Sequence, residues 1–219
     1  MFPFLKYISR SVHEEYQPPH PEAREIVDGG ACTTLTVWRK SLLVSCEGFT
    51  VIDWKGDLVY RVDNYARTRP EELLLMDKDG NSVLFMRRLK KFTMVDRWGI
   101  YDAKDTEDTN AIKPPKRPIW CVKKNVNAKI LGNSSDILAY VYYGPFDKKH
   151  AYVIKGSYGC RSCKVVHGSS NRTVSEIKTK QAKPEGVRFG LDVFDLVVYP
   201  GFDPGLAMAL VLLLDRMFS

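Results

Sequence analysis

The sequence predicts a mainly β protein, a closed barrel of about twelve strands wrapped around a hydrophobic C-terminal helix. Three observations carry this expectation. Residues 205–214 form an unbroken apolar run close to the C-terminus. From Leu35 to Tyr199 the chain alternates short β-rich runs with turns. Two of those turns share the form Asp-x-x-Gly, at Asp53-Trp54-Lys55-Gly56 and Asp77-Lys78-Asp79-Gly80.

The helix has a clear start. Asp203 suits the capping position and Pro204 the first helical position. No residue from Leu206 to Leu214 is polar, so the helix has no water-facing side and must be buried in protein or in lipid. The run is about half as long as a bilayer span requires, which favours a core helix.

The strands follow in order. Residues 49–52, 58–62, 73–76 and 83–86 read as two successive hairpins. In each, Asp opens the turn through its side chain and Gly supplies the positive φ that closes it. Residues 98–101 add a strand. Residues 102–118 interrupt the pattern with an acidic stretch followed by Lys113-Pro114-Pro115-Lys116-Arg117-Pro118, which reads as an exposed loop. A second series comprises residues 119–122, 137–143, 151–154, 164–166, 173–177 and 193–199. A barrel of this many strands is wider than its own side chains can fill, and the apolar helix is the natural plug. Residues 1–30, charged and interrupted by Pro18, Pro19 and Pro21, are expected to be a loosely ordered arm, and residues 31–219 one domain.

The 219 residues carry a formal charge of +7, with pI near 9.1. This balance favours acidic partners: phosphoinositides, anionic membranes or nucleic acid. Five cysteines without a secretory signal predict reduced thiols and a cytoplasmic or nuclear location.

Two basic groups are the candidate anion sites. Arg87-Arg88-Leu89-Lys90-Lys91 places four cations in five residues, enough to engage several phosphate oxygens or to form a solvated strand end. In an extended strand Arg87 and Lys91 share one face, and Arg88 and Lys90 the other. The second group comprises Lys113, Lys116, Arg117, Lys123 and Lys124. A third, Lys178, Lys180 and Lys183, reads as plain surface.

Catalytic signals are weak. There is no Gly-x-Ser-x-Gly motif, phosphate-binding loop or dinucleotide fingerprint, so no enzyme activity and no cofactor are expected. Cys160-Arg161-Ser162-Cys163 lacks a second ligand pair for zinc, and on a strand its two thiols would face opposite ways. Asp77-Lys78-Asp79-Gly80-Asn81 has Arg88 where a calcium loop needs its glutamate.

The segments Leu35-Thr36-Val37-Trp38-Arg39-Lys40-Ser41-Leu42, Gly48-Phe49-Thr50-Val51 and Gly56-Asp57-Leu58-Val59-Tyr60-Arg61-Val62-Asp63-Asn64-Tyr65, with the ending from Asp192 to Asp215, resemble the plant LURP-one-related proteins. The resemblance covers roughly residues 30–218. It implies the fold of the tubby C-terminal domain and of phospholipid scramblases, a twelve-stranded barrel around a central helix. It also implies a role linked to plant pathogen defence and, by the tubby likeness, phosphoinositide binding. On that likeness Arg87, Arg88, Lys90 and Lys91 are the lipid-contact candidates. The expected protein is an intracellular regulatory module at an anionic membrane, with an unidentified protein partner as a further expectation. The alternatives are a scramblase-like lipid-handling protein and a nucleic-acid-binding transcriptional regulator. The last of these would need stacking aromatics beside basic residues on one exposed face.

Overall fold

The structure, a computed structural model, describes residues 30–43, 46–64, 71–89, 95–103, 117–126, 136–181 and 189–219. Its strands are β1 (Thr33–Trp38), β2 (Glu47–Ile52), β3 (Leu58–Asn64), β4 (Glu72–Asp77), β5 (Ser82–Arg88), β6 (Arg97–Asp102), β7 (Trp120–Lys124), β8 (Ile137–Tyr143), β9 (His150–Ser157), β10 (Ser162–His167), β11 (Thr173–Thr179) and β12 (Val193–Val198), followed by helix α1 (Pro204–Phe218). Each strand pairs antiparallel with its sequence neighbour, and β1 pairs with β12 to close the barrel. Closure leaves no free sheet edge to recruit another chain.

Alternation along the strands sorts side chains between interior and wall. In β12, Phe194, Leu196 and Val198 are buried, while the residues between them are half-buried. In β5, Met86 is fully buried, so Phe85 and Arg87 face outward. The interior is filled by α1, whose residues 205–214 are all buried. The core formed by the strands and α1 is continuous, and helix residues Met208, Ala209 and Leu213 are fully buried within it.

Both ends of α1 are held. Asp203 Oδ1 accepts from the backbone N–H of Leu206 at 2.6 Å, and Pro204 begins the helix. At the other end Lys124 Nζ donates to the carbonyl of Met217 and lies 4.4 Å from the centre of the Phe218 ring. A cation there satisfies a carbonyl that the helix leaves unpaired and meets the negative end of its dipole. Asp215 accepts from Tyr158 Oη at 3.1 Å and pairs with Arg39 Nε at 3.1 Å.

The two Asp-x-x-Gly turns form as their chemistry requires. Asp53 Oδ1 accepts from Lys55 and Asp57 N–H at 2.8 and 2.9 Å, and Asp77 Oδ1 from Asp79 and Asn81 N–H at 2.9 and 2.8 Å. Gly56 and Gly80 take φ of 92° and 89°. The Asn81 side chain, followed by the backbone N–H groups of the turn, holds the Asp77 carboxyl below its ordinary range. This is turn geometry, as the sequence suggests, and not a calcium loop.

The cysteine pair differs from its expected placement. Cys160 lies exposed in the turn between β9 and β10, while Cys163 is buried in the core from β10. Burial pushes the Cys163 thiol up to about 12, so it remains a neutral core side chain. Among the described residues no group of three or more His, Cys, Asp and Glu is arranged to hold a metal ion.

Candidate functional site: an arginine-lined cleft on the barrel wall

Strand register brings distant basic residues together on the outer wall. Glu72 of β4 lies opposite Arg87 of β5, Arg87 opposite Gly99 of β6, and Gly99 opposite Cys121 of β7. Trp98 belongs to the core, so Arg97 and Gly99 face outward beside this row. The result is a cleft of 730 Å³ whose charged lining is Arg87, Arg88, Arg97 and Arg117, with Glu71 and Glu72. Tyr101, Pro118, Pro145 and Phe146 supply apolar walls.

Two of the arginines are already engaged. Arg87 Nε and Nη2 donate to Glu72 Oε1 at 3.0 and 2.6 Å, and the guanidinium lies 5.1 Å from the Phe85 ring centre. Arg88 Nε approaches Asp96 Oδ1 to 2.6 Å. That approach is a charge contact outside hydrogen-bond geometry, because the buried Oδ1 has no hydrogen-bond partner among the described residues. Arg97 Nε is also buried without such a partner. A guanidinium N–H held away from water without an acceptor is costly, while Arg97 as a residue lines the cleft.

The floor depends on Gly99. A Cβ at this position would lie 3.0 Å from both Tyr101 Cε2 and Oη and 3.1 Å from Pro118 Cβ. The absent side chain therefore lets the Tyr101 ring lie across β6. Burial raises the Tyr101 hydroxyl above its ordinary value, so at neutral pH it is an O–H group able to donate to an anion.

The structure places the sequence candidates unequally. Arg87 and Arg88 share the cleft with Arg117, which came from the second basic group. Lys90, Lys91, Lys113 and Lys116 lie outside the described residues, as do Lys183 and residues 1–29. Lys123 lies opposite Arg97 and Tyr140 on the wall, whereas Lys124 turns to the end of α1 and serves as its cap. Lys178 pairs with Glu176 Oε2, and Lys180 with Asp195 at 2.8 Å. Sequence reasoning missed Arg97, Tyr101 and Phe146. Gly99 within a strand was the available signal, since such a glycine marks a close approach.

The fold matches a crystal structure of an Arabidopsis thaliana protein with a TM-score of 0.57 at 22% identity, covering 84% of this chain and 90% of that one. At that identity the likeness concerns the fold alone. The family model described as LURP-one-related matches residues 33–215. The chain belongs to the LURP-one-related family. Among the family's members, LURP-one-related 17 of Arabidopsis thaliana is 68% identical over 100% of both chains. LURP-one-related 8 of the same plant is 40% identical over 94% of this chain and 97% of its own. The LURP-one-related match spans the strands that build the cleft.

Proposed function

We propose that this protein is a non-enzymatic regulatory module that binds phosphoinositides or other anionic membrane lipids through the arginine cleft, in the context of plant pathogen defence. The observation that carries this reading is the convergence of four arginines on a cleft lined by two glutamates. Arg87 and Arg88, held by Glu72 and Asp96, shape the site, while Arg97 and Arg117 are the principal phosphate contacts. The tubby-like resemblance supports a lipid ligand, and the +7 charge supports an anionic one. Lys90 and Lys91, which follow Leu89 in sequence, are further candidate contacts in this reading. The reading also takes residues 31–219 as one domain preceded by an arm, working at the cytoplasmic membrane face.

The scramblase-like alternative loses its simplest device, because α1 is buried inside the barrel and no helix among the described residues is long and apolar enough to cross a membrane. A nucleic-acid reading gains one specific observation. Phe146 is 81% exposed and lines the same cleft as Arg117, which suits base stacking beside a phosphate contact.

Flotation with vesicles carrying individual phosphoinositides, at low and near-physiological salt, decides between them. Selective binding that persists in salt and is lost in an Arg97→Gln/Arg117→Gln variant supports the lipid reading. Binding to any anionic vesicle that fades with salt contradicts a specific site. Preferential binding of a single-stranded oligonucleotide would transfer the cleft to the second reading.

A further inference from the structure

Charge is spread unevenly around the barrel. Between residues 95 and 181, the part that builds β6–β11, the described residues carry twelve Lys and Arg against five Asp and Glu. The remaining described residues carry eight against twelve. Two of the twelve cations are turned inward, since Lys124 caps α1 and Arg161 is buried, which leaves ten against five. The strands β6–β11 are consecutive around the wall, so this excess belongs to one half of the barrel.

The excess is densest at one corner. Connections alternate between the two ends of an up-and-down barrel. Tyr152, near the start of β9, has its ring centre 5.1 Å from that of Phe202, just before α1. The β6–β7, β8–β9 and β10–β11 connections therefore open at the end where α1 begins. Their described residues include Arg117, Lys148, Lys149 and Arg172, all exposed, against one acid, Asp147. The part of the β6–β7 connection outside the described residues is balanced in sequence, with three Lys against three Asp and Glu. The β8–β9 and β10–β11 connections touch. Gly168 N–H donates to the Ala151 carbonyl at 2.7 Å, and a Cβ on Gly168 would lie 2.3 Å from the His150 carbonyl oxygen. Two aromatic side chains stand out from the same corner, Phe146 at 81% exposure and Tyr143 at 62%. Elsewhere the balance differs. The two Asp-x-x-Gly turns of this end, 53–57 and 77–81, carry two Lys against four Asp. At the opposite end a 510 Å³ pocket sets Arg39, Lys40 and Arg216 against Glu47, Asp192 and Asp215.

We propose that the corner formed by the β8–β9 and β10–β11 connections, with Arg117 beside them, seats on an anionic bilayer. Phe146 and Tyr143 enter the interfacial layer, and Lys148, Lys149 and Arg172 meet headgroups. Aromatic rings beside cations are the chemistry of the membrane interface, where apolar burial and attraction to anionic lipid act together. Charge complementarity selects this occupant and sets a tilt. The cationic corner is drawn to an anionic surface, while the acidic turns 53–57 and 77–81 are repelled by it. Lysines are depleted at protein interfaces, which disfavours a protein on the same corner. The arginine cleft opens here too. Arg117, Pro118, Pro145 and Phe146 line it at this end, and Arg97 and Arg88 line it farther along the wall. A headgroup rising from the bilayer thus meets Arg117 first. The inference rests on the lipid-binding reading above and adds the orientation.

The test uses phosphatidylcholine vesicles doped with phosphatidylinositol 4,5-bisphosphate, with soluble inositol 1,4,5-trisphosphate as a separate probe of the cleft. Lys148→Gln/Lys149→Gln is expected to weaken vesicle binding about thirtyfold. Its melting temperature and trisphosphate binding should not change, because both lysines are exposed and neither lines the cleft. Lys55→Gln/Lys78→Gln removes the same charge from the two acidic turns and is expected to bind vesicles as wild type. Wild type that ignores every vesicle overturns both the lipid reading and this orientation. Vesicle binding that is lost in Arg97→Gln/Arg117→Gln but kept in Lys148→Gln/Lys149→Gln overturns the orientation alone. Equal weakening in the two lysine pairs also overturns it, since net charge rather than one corner would then be at work. If Lys148→Gln/Lys149→Gln loses binding to a single-stranded oligonucleotide but not to vesicles, the corner belongs to nucleic acid and the orientation falls.

Discussion

The barrel interior and the arginine cleft are made by the same strands under opposite rules. Met86 and Arg87 are adjacent in β5, yet one is fully buried against the core and the other belongs to a charged outer surface. Inside, every position from 205 to 214 of the helix is buried and interchangeable in kind: apolar, of suitable volume, without a polar atom to satisfy. Outside, geometry and partners matter. Arg87 has Glu72, Arg88 has Asp96, and Arg97 Nε has no acceptor among the described residues. The difference separates stability from the proposed binding: the interior sets whether the chain folds, and in the proposed reading the wall sets what it holds.

Substitutions can break that separation, beginning with the interior. Leu210→Asp places a carboxylate at a site only 1% exposed. Burying an uncompensated charge costs several kcal/mol or more, comparable with the whole stability of a domain. The variant should give no soluble folded protein, and native stability in a melting experiment would remove α1 from the core.

Alkaline pH gives a graded version of the same test. The Cys163 thiol has a folded-state value of about 12 against an ordinary 9.0. Its contribution is complete below pH 9 and is lost as pH rises, because the unfolded chain releases the proton first. Stability should fall by up to about 1.4 kcal/mol per pH unit from this group once pH exceeds 9. Between pH 9 and 10 the melting temperature of Cys163→Ala should fall less steeply than that of wild type. Equal slopes would show that Cys163 is not the source.

A smaller effect belongs to the helix start. Asp203→Ala removes the acceptor for Leu206 N–H and should cost about 1 kcal/mol in denaturant unfolding. An unchanged unfolding midpoint would mean that packing alone fixes the entry of α1. The smallest stability change is expected on the wall. Arg97→Gln should leave the denaturation midpoint within about 0.5 kcal/mol of wild type while weakening phosphoinositide binding. A large stability loss would make Arg97 a structural residue instead.

The plug and most of the barrel could be read from the chain because their signals are local. The Asp203-Pro204 start, the apolar run behind it and the two Asp-x-x-Gly turns each lie within a few residues, and period-2 alternation marks the strands. The cleft is non-local. Arg87, Arg97 and Arg117 meet only because β5, β6 and β7 stand side by side in a particular register, which no single segment encodes. Charge density alone could not separate Arg117, which lines the cleft, from Lys124, which caps α1. It was also silent about Glu72 and Asp96, the carboxylates that engage the two arginines most visible in the sequence. The cysteine pair shows the same limit. Cys160-x-x-Cys163 could be read as two residues of one strand, but the tight β9–β10 turn, with Arg161 at a φ of 50°, divides it between surface and core.

The most direct test of the arginine cleft is an NMR titration of isotope-labelled protein with soluble inositol 1,4,5-trisphosphate. The account predicts saturable shifts centred on the amides of Arg97, Gly99 and Tyr101 and on the Arg97 and Arg117 guanidinium signals, lost in Arg97→Gln/Arg117→Gln. Shifts centred on the pocket around Arg39 and Arg216, or no saturable shifts, would contradict it.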